Sequence, residues 1–370
     1  MRITNVKVFR PNGFFKPGEI AIENGVFAAH SEGAFLDGEG CYAIPGLVDV
    51  HFHGCVGHDF CDGTNEAISA IARYEAKSGV TAICPATMTY SEEILGGICD
   101  AAAAFRPEED MAELVGINME GPFIAPSKKG AQNPAYLQLP NVEMFRRLNQ
   151  RSGGLVKLLD LAPELEGAME AIAELKDEVR ISLAHTDAGY ETAMKAFQTG
   201  AKHVTHLYNA MNGLSHRKPG LVGAAFDGAE SAELICDGVH IHPAVVRTTF
   251  RVMGADRMIL ISDSMMATGL DDGDYSLGGQ AVKVVGNLAT LADGTIAGSA
   301  TNLMNCMRTA VLKMGIPFGI AVKAATVNPA KAIGVYDKHG SIDVGKSADL
   351  VLMDKDLNVK QVILRGKPLL

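Results

Sequence analysis

The 370-residue chain contains no tryptophan, only 6% aromatic residues and no block of basic residues. Its 33 Lys and Arg stand against 43 Asp and Glu, a formal net charge of −10. Nucleic acids and anionic membranes are polyanions gripped by clustered cations, so neither is expected as a partner. A small anionic metabolite stays possible, because one site needs only a few local donors. No uncharged apolar run approaches the ~18 residues of a membrane span. Residues 1–9 alternate like a strand and show no signal-peptide core, so a cytoplasmic location is expected. The seven cysteines (Cys41, Cys55, Cys61, Cys84, Cys99, Cys236, Cys306) are odd in number and contain no CxxC pair. They read as reduced core thiols. A GxGxxG turn is also missing, which weakens the case for a doubly wound nucleotide-binding sheet.

What is present is a globular composition, 47% apolar, in a length that fits one large domain with an appendage. Residues 1–46 read as short strands and turns, and residues 341–370 look similar. The stretch between them alternates. Strand-like apolar runs fall at 47–53, 80–85, 114–119, 156–161, 181–184, 203–207, 232–236 and 258–262. Helical patterns lie between most of them, among them 65–78, 92–105, 164–175, 191–199 and 243–253, and Gly79, Gly200 and Gly254 are placed as C-caps. Eight such units predict an α/β fold, a (β/α)8 TIM-type barrel over 47–340, with a small β-sandwich domain formed by both chain termini. The Gly- and Asp-rich segment 268–297 breaks the rhythm and reads as a β-hairpin inserted as a lid.

A barrel's chemistry lies where its strands finish. The first run is PGLVDVHFHG (residues 45–54). Read as a strand, it sets Val48, Val50 and Phe52 on one face and His51 and His53 on the other. Later runs finish at Glu120, at His185, at His206, at Asp237 with His240, and at Asp263. Any one of these has an ordinary explanation as a turn or capping residue. Together at one edge they point to a metal site, where imidazole and carboxylate suit Zn, Fe, Co or Ni. A bound divalent ion makes hydroxide available near neutral pH and polarises a carbonyl. A carboxylate on the last strand can take a proton and return it to a departing amine; Asp263 fits that role better than Glu120. After the sixth run, Asn209 and Ala210, then His216, Arg217 and Lys218, offer the donors of a phosphate cradle.

The same residues carry a resemblance. In order, HFHG, MEGPFIAPSKKGA (119–131), LAHTDA (183–188), HLYNAM (206–211), HRKPG (216–220), CDGVHIHP (236–243), SDSM (262–265) and TIAGS (295–299) resemble the N-acetylglucosamine-6-phosphate deacetylase family of the amidohydrolase superfamily. The tail GSIDVGKSADLVLMD (340–354) resembles that superfamily's closing strands. The resemblance implies a divalent metal, one or two ions per subunit, with Glu120, His185 and His206 at the main site and His51 and His53 completing a second that Glu120 bridges. Asp263 would be the general base and acid. Asn209, Ala210, Arg217 and His240 would contact the sugar phosphate, with Arg217 reaching across a homodimer interface. Ala131, Gln132, Ile296, Ala297 and Gly298 would line the sugar and acetamide pocket. Part of the family has a His where this chain has Gln132, which donates a hydrogen bond but carries no charge. The implied reaction turns N-acetylglucosamine 6-phosphate into glucosamine 6-phosphate and acetate, in amino-sugar catabolism and cell-wall recycling.

Other readings are weaker. A dihydroorotase-like site needs a carboxylated Lys after a middle strand, and the fourth run ends instead in Leu161-Ala162-Pro163-Glu164. A catalytically dead scaffold should have lost ligands or Asp263, and all are present. An N-acetylgalactosamine 6-phosphate deacetylase is harder to separate, because no single residue reports the epimer.

Overall fold

The computed structural model describes residues 1–369. Strands from both ends of the chain meet in one eight-stranded sheet. Its order runs Lys367–Pro368, Val359–Leu364, Leu350–Met353, Tyr42–Pro45, Arg2–Phe9, Phe15–Glu23 and Val26–Ala28, with Phe35–Asp37 also paired to Arg2–Phe9. Alternation along these strands turns Ile3, Val6, Val8, Ile22, Leu350 and Ile363 into a separate apolar cluster. The hydrogen bonds define a single sheet, where two stacked sheets were expected of a sandwich. The C-terminal strand closes on the N-terminal part by pairing Leu350 with Pro45 and Met353 with Tyr42.

The middle of the chain supplies eight parallel runs, as the apolar segments predict. Their near-continuous hydrophobicity follows from burial on both faces. One side packs with the helices, and another cluster gathers Val48, Val50, Ala82, Cys84, Leu158, Ile235, Ile259 and Ile261. The expected closed barrel is corrected here: the runs form two ladders. Leu47–Asp49, Val80–Ile83 and Glu113–Leu114 make one; Ile117–Glu120 through Met258–Ile261 make the other.

Both seams have a local cause. The run 114–119 breaks into two strands, and opposite the break lies Pro85, which has no N–H to donate. Pairing there continues through Val115 N to Ile83 O (2.9 Å), Asn118 N to Pro85 O (2.9 Å), Thr87 N to Asn118 O (2.9 Å) and the bridge between Ala86 and Asn118. At the other seam, Asp263 takes a left-handed φ of 49°. Backbone bonds from Asp263 N to His51 O (2.9 Å) and from His53 N to Ser264 O (2.7 Å), with the Ser262 hydroxyl on Asp49 Oδ2 (2.6 Å), span the gap.

Other differences are smaller. The helix expected from 164 starts at Ala168, after Gly167 in a left-handed conformation. The run 203–207 is strand only over His203–Val204. The inserted segment is a four-stranded antiparallel sheet (Gly273–Leu277, Gln280–Val285, Leu288–Thr290, Ile296–Ser299), not a hairpin. Its first strand, GDYSL, is too polar to stand out. All seven cysteines are free, and all but Cys61 are buried. Among the described residues no helix is long and apolar enough to cross a membrane.

Gly46 joins the terminal sheet to the first parallel strand because nothing larger fits. A Cβ there would lie 2.0 Å from Thr81 Oγ1 and 2.5 Å from its Cγ2. Gly46→Ala is expected to destabilise the protein by about 1–3 kcal/mol through overpacking. Thr81→Ala should recover part of that loss in the double variant. Denaturant midpoints of the four proteins check this; a neutral Gly46→Ala would show that the junction yields freely.

Candidate active site

Because the strands run parallel, the residues that follow them collect at one end. His51 and His53 follow Leu47–Asp49, Glu120 ends Ile117–Glu120, and His185 follows Arg180–Leu183. His206 follows His203–Val204, His240 follows Ser231–Ile235, and Asp263 follows Met258–Ile261. His51 and His53 converge although the strand stops at Asp49. Phe52 packs in the helix-side cluster, while Val48 and Val50 lie in the other. His185, His206 and Asp263 all have positive φ (46°, 28° and 49°). For side chains other than glycine this costs roughly 1–2 kcal/mol each, and it persists where the surroundings fix it.

Glu120 is the centre of the cluster, 2% exposed. Its Oε1 lies 2.9 Å from His185 Nε2, 3.1 Å from His206 Nε2 and 3.5 Å from His51 Nε2. Its Oε2 lies 3.5 Å from His53 Nε2 and accepts from Gln132 Nε2 at 2.6 Å. Asp263 Oδ1 sits beside the histidine pair, 3.4 Å from His53 Nε2 and 3.8 Å from His51 Nε2. Burial alone would push the Glu120 carboxyl up, but His51, His185 and His206 outweigh it and hold Glu120 well below the usual carboxylate range. Burial likewise opposes charge on His51, and Glu233 and Glu120 overcome it, raising His51 well above an ordinary histidine. Asp263 is lowered: the hydrogen bond with His53 and the charge of His51 exceed its desolvation.

The donor set fits a divalent cation. His185 Nε2 and His206 Nε2 approach within 3.1 Å while aimed at the same oxygen. His51 Nε2 is buried without a hydrogen-bond partner. The ligand atoms of His51, His53 and Glu120, and those of Glu120, His185 and His206, each lie within 4.8 Å of one another. Glu120 belongs to both sets. Three or more N and O donors at this spacing match the borderline ions that imidazole favours.

A cleft of about 390 Å³ opens over this cluster. Its wall includes His53, Glu120, Ala131, Gln132, His185, His206, Asn209, Ala210, His240, Asp263, Ile296 and Gly298. Ala297 is instead buried among Met265, Leu277 and Val282, and Arg217 is exposed and off the cleft wall. Gln132 is held at both ends, its Oε1 accepting from Thr89 N at 2.7 Å. His240 Nδ1 lies 2.7 Å from Asp237 Oδ2, leaving its other ring nitrogen for the cleft. Lys128, on the wall and with its carbonyl 2.8 Å from His185 Nδ1, was not picked out by sequence reasoning. Nor was Glu233, although a lone carboxylate inside the apolar run 232–236 is a readable signal.

Comparison with known proteins agrees with this geometry. Residues 42–369 match the model of the Amidohydrolase family. The chain is 38% identical over 330 residues to the N-acetylglucosamine-6-phosphate deacetylase of Bacillus subtilis (strain 168), covering 87% of this chain and 83% of that one. The chain belongs to this deacetylase family of amidohydrolases. It is also 32% identical over 366 residues to an N-acetylgalactosamine-6-phosphate deacetylase of Escherichia coli O157:H7, covering 98% and 97% of the two. Among solved structures it superposes with TM-score 0.92 and 31% identity on a mutant of the Mycobacterium smegmatis N-acetyl-D-glucosamine-6-phosphate deacetylase in complex with N-acetyl-D-glucosamine-6-phosphate, over 100% and 99% of the chains. The fold is thus the TIM-barrel type of these amidohydrolases.

Raised histidine pKa values mean that protons compete for the imidazoles above the ordinary value of 6.5. Metal uptake must displace those protons, so affinity rises with pH and does not level off at 6.5. Zn2+ titrations of metal-stripped protein between about pH 6 and 8, in buffers of different ionisation enthalpy, should show proton release and progressively tighter binding. Affinity independent of pH would remove the histidines from the ligand set.

Proposed function

We propose that this chain hydrolyses the acetamide of N-acetylglucosamine 6-phosphate, releasing glucosamine 6-phosphate and acetate. The observation that carries the reading is Asp263 set beside His51 and His53, with Asp263, His53 and the shared carboxylate of Glu120 on the wall of one cleft. Glu120, His185 and His206 would hold one divalent cation and His51, His53 and Glu120 a second, supplying a Lewis acid for the carbonyl and a lowered pKa for water. Asp263, kept ionised by His53 and His51, takes the proton of the attacking water. The same carboxyl then returns it to the departing nitrogen. Gln132, its oxygen occupied by Thr89 N and one N–H by Glu120 Oε2, has a single N–H left, which would donate to a carbonyl without protonating it.

For the rest of the substrate, Asn209, Ala210, His240, Ala131, Ile296 and Gly298 all line the cleft; we assign the first three to the sugar phosphate and the last three to the sugar and acetamide pocket. The exposed Arg217 is off its own cleft wall, which supports a role at a partner's phosphate in a homodimer. We read 1–46 with 341–370 as a small β domain built on the single terminal sheet and 47–340 as the catalytic barrel. Seven free thiols fit a reducing, cytoplasmic setting.

Acetate release from N-acetylglucosamine 6-phosphate, beside the unphosphorylated sugar and the galacto epimer, tests the reading. Strong preference for the phosphorylated gluco sugar is expected. Preference for the galacto epimer would favour the second reading, which the 32% identical relative of that activity keeps in view. No release from any of the three would refute a sugar deacetylase. Asp263→Asn is expected to lower kcat by about 10²–10⁴ with metal content unchanged; retained turnover would place the base elsewhere. Arg217→Ala should raise KM for the phosphorylated sugar by about 10–100-fold, the worth of a charged hydrogen bond. An unaltered KM would remove Arg217 from the phosphate cradle.

A further inference from the structure

Glu233 is fully buried in the strand Ser231–Ile235, yet it lines no cleft and touches no candidate substrate group. Its two oxygens are nonetheless fully engaged. Oε2 accepts from the backbone N–H of His206 at 3.0 Å and lies 3.2 Å from His51 Nδ1. Oε1 lies 3.0 Å from His203 Nε2. On its far side His203 Nδ1 lies 2.7 Å from Ser231 Oγ, and that hydroxyl accepts from Arg180 Nη2 at 3.1 Å.

An ionised carboxylate has no proton to give, so His51 Nδ1 must be the donor in its contact with Oε2. Asn118 Nδ2, 3.3 Å from that nitrogen, gives one N–H to Val50 O at 3.1 Å and competes with its other; the closer carboxylate oxygen, which can only accept, decides where the proton sits. In the neutral ring that binds a cation, a proton fixed on Nδ1 leaves the lone pair of His51 on Nε2. That is the buried, unpartnered atom turned towards Glu120 and Asp263. The same oxygen ties down the backbone of His206, where the chain takes its unusual φ of 28°.

We infer that Glu233 is a positioning residue: it sets the tautomer and orientation of His51 for cation binding, with His203 and Ser231 anchoring it from behind. The inference rests on the proposed metal centre and goes beyond it by naming what makes one ligand competent. Outer partners of metal-binding histidines change metal affinity by about 10–100-fold when removed. Here the loss should be selective, because Glu233 touches the ring of His51 and only the backbone of His206.

The test is Zn2+ binding to metal-stripped protein, read by competition with a chromophoric chelator. Wild type should take up two equivalents. Glu233→Met, similar in size but without an acceptor, should weaken the second equivalent by about 10–100-fold and move the first far less. Glu233→Gln should recover most of the affinity, because its carbonyl can replace Oε2 while its amide faces His203 in the opposite tautomer. Unchanged binding in Glu233→Met, equal weakening of both equivalents, or a Gln variant as weak as Met would each overturn the inference. Wild type that takes up no zinc would overturn the metal centre itself, and the inference with it. A measurement on wild type alone guards against a variant that does not fold. In zinc-loaded protein labelled with 15N-histidine, the His51 signal, assigned through His51→Asn, should carry its proton on Nδ1. A proton on Nε2 would refute the role assigned to Glu233.

Discussion

Everything at the strand ends is organised around one buried carboxylate. A charge without solvent is costly unless it is closely paired. Glu120 has no Lys or Arg among its partners; it is surrounded by four imidazoles and one amide. Such a shell is balanced only when positive charge sits within it, from protons on the histidines or from a cation between them. The raised pKa values of His51 and His53 express the first solution, and the two overlapping ligand sets express the second. Because Glu120 belongs to both sets, its position couples them.

The surrounding structure holds the ligands still. Left-handed backbone at His185, His206 and Asp263 turns each side chain off the end of its strand, and long-range bonds fix those turns. Asp263 is held through its N–H to His51 O and through its carbonyl, which accepts from Ser299 N at 2.6 Å. Ser299 ends the last strand of the inserted sheet, so the proposed base and the cleft rim are one mechanical unit. The terminal sheet, joined through Gly46, braces the strand that leads to the histidine pair.

Much of this was legible in the sequence because parallel strands buried on both faces read as apolar runs, and a polar residue at the end of such a run stands out. Glu120, His185, His206 and Asp263 could be found that way, and the structure brings them together with His51 and His53. The remainder depends on contacts that no local pattern records. Pro85 interrupts a ladder only because the segment between Leu114 and Ile117 lies opposite it. The strand Gly273–Leu277 is held by its pairing with Gln280–Val285, not by its own polar composition. Ala297 faces the core of the inserted sheet although its neighbours Ile296 and Gly298 face the cleft. Glu233 meets His51 from 182 positions away in the chain.

The most direct test of this account is anomalous diffraction from crystals of zinc-reconstituted protein, recorded on both sides of the zinc absorption edge. The account predicts peaks within coordination distance of Glu120, one near His185 and His206 and another near His51 and His53, with the carboxylate between them. Zinc-loaded crystals with no peak at Glu120, or with zinc bound elsewhere, would contradict it.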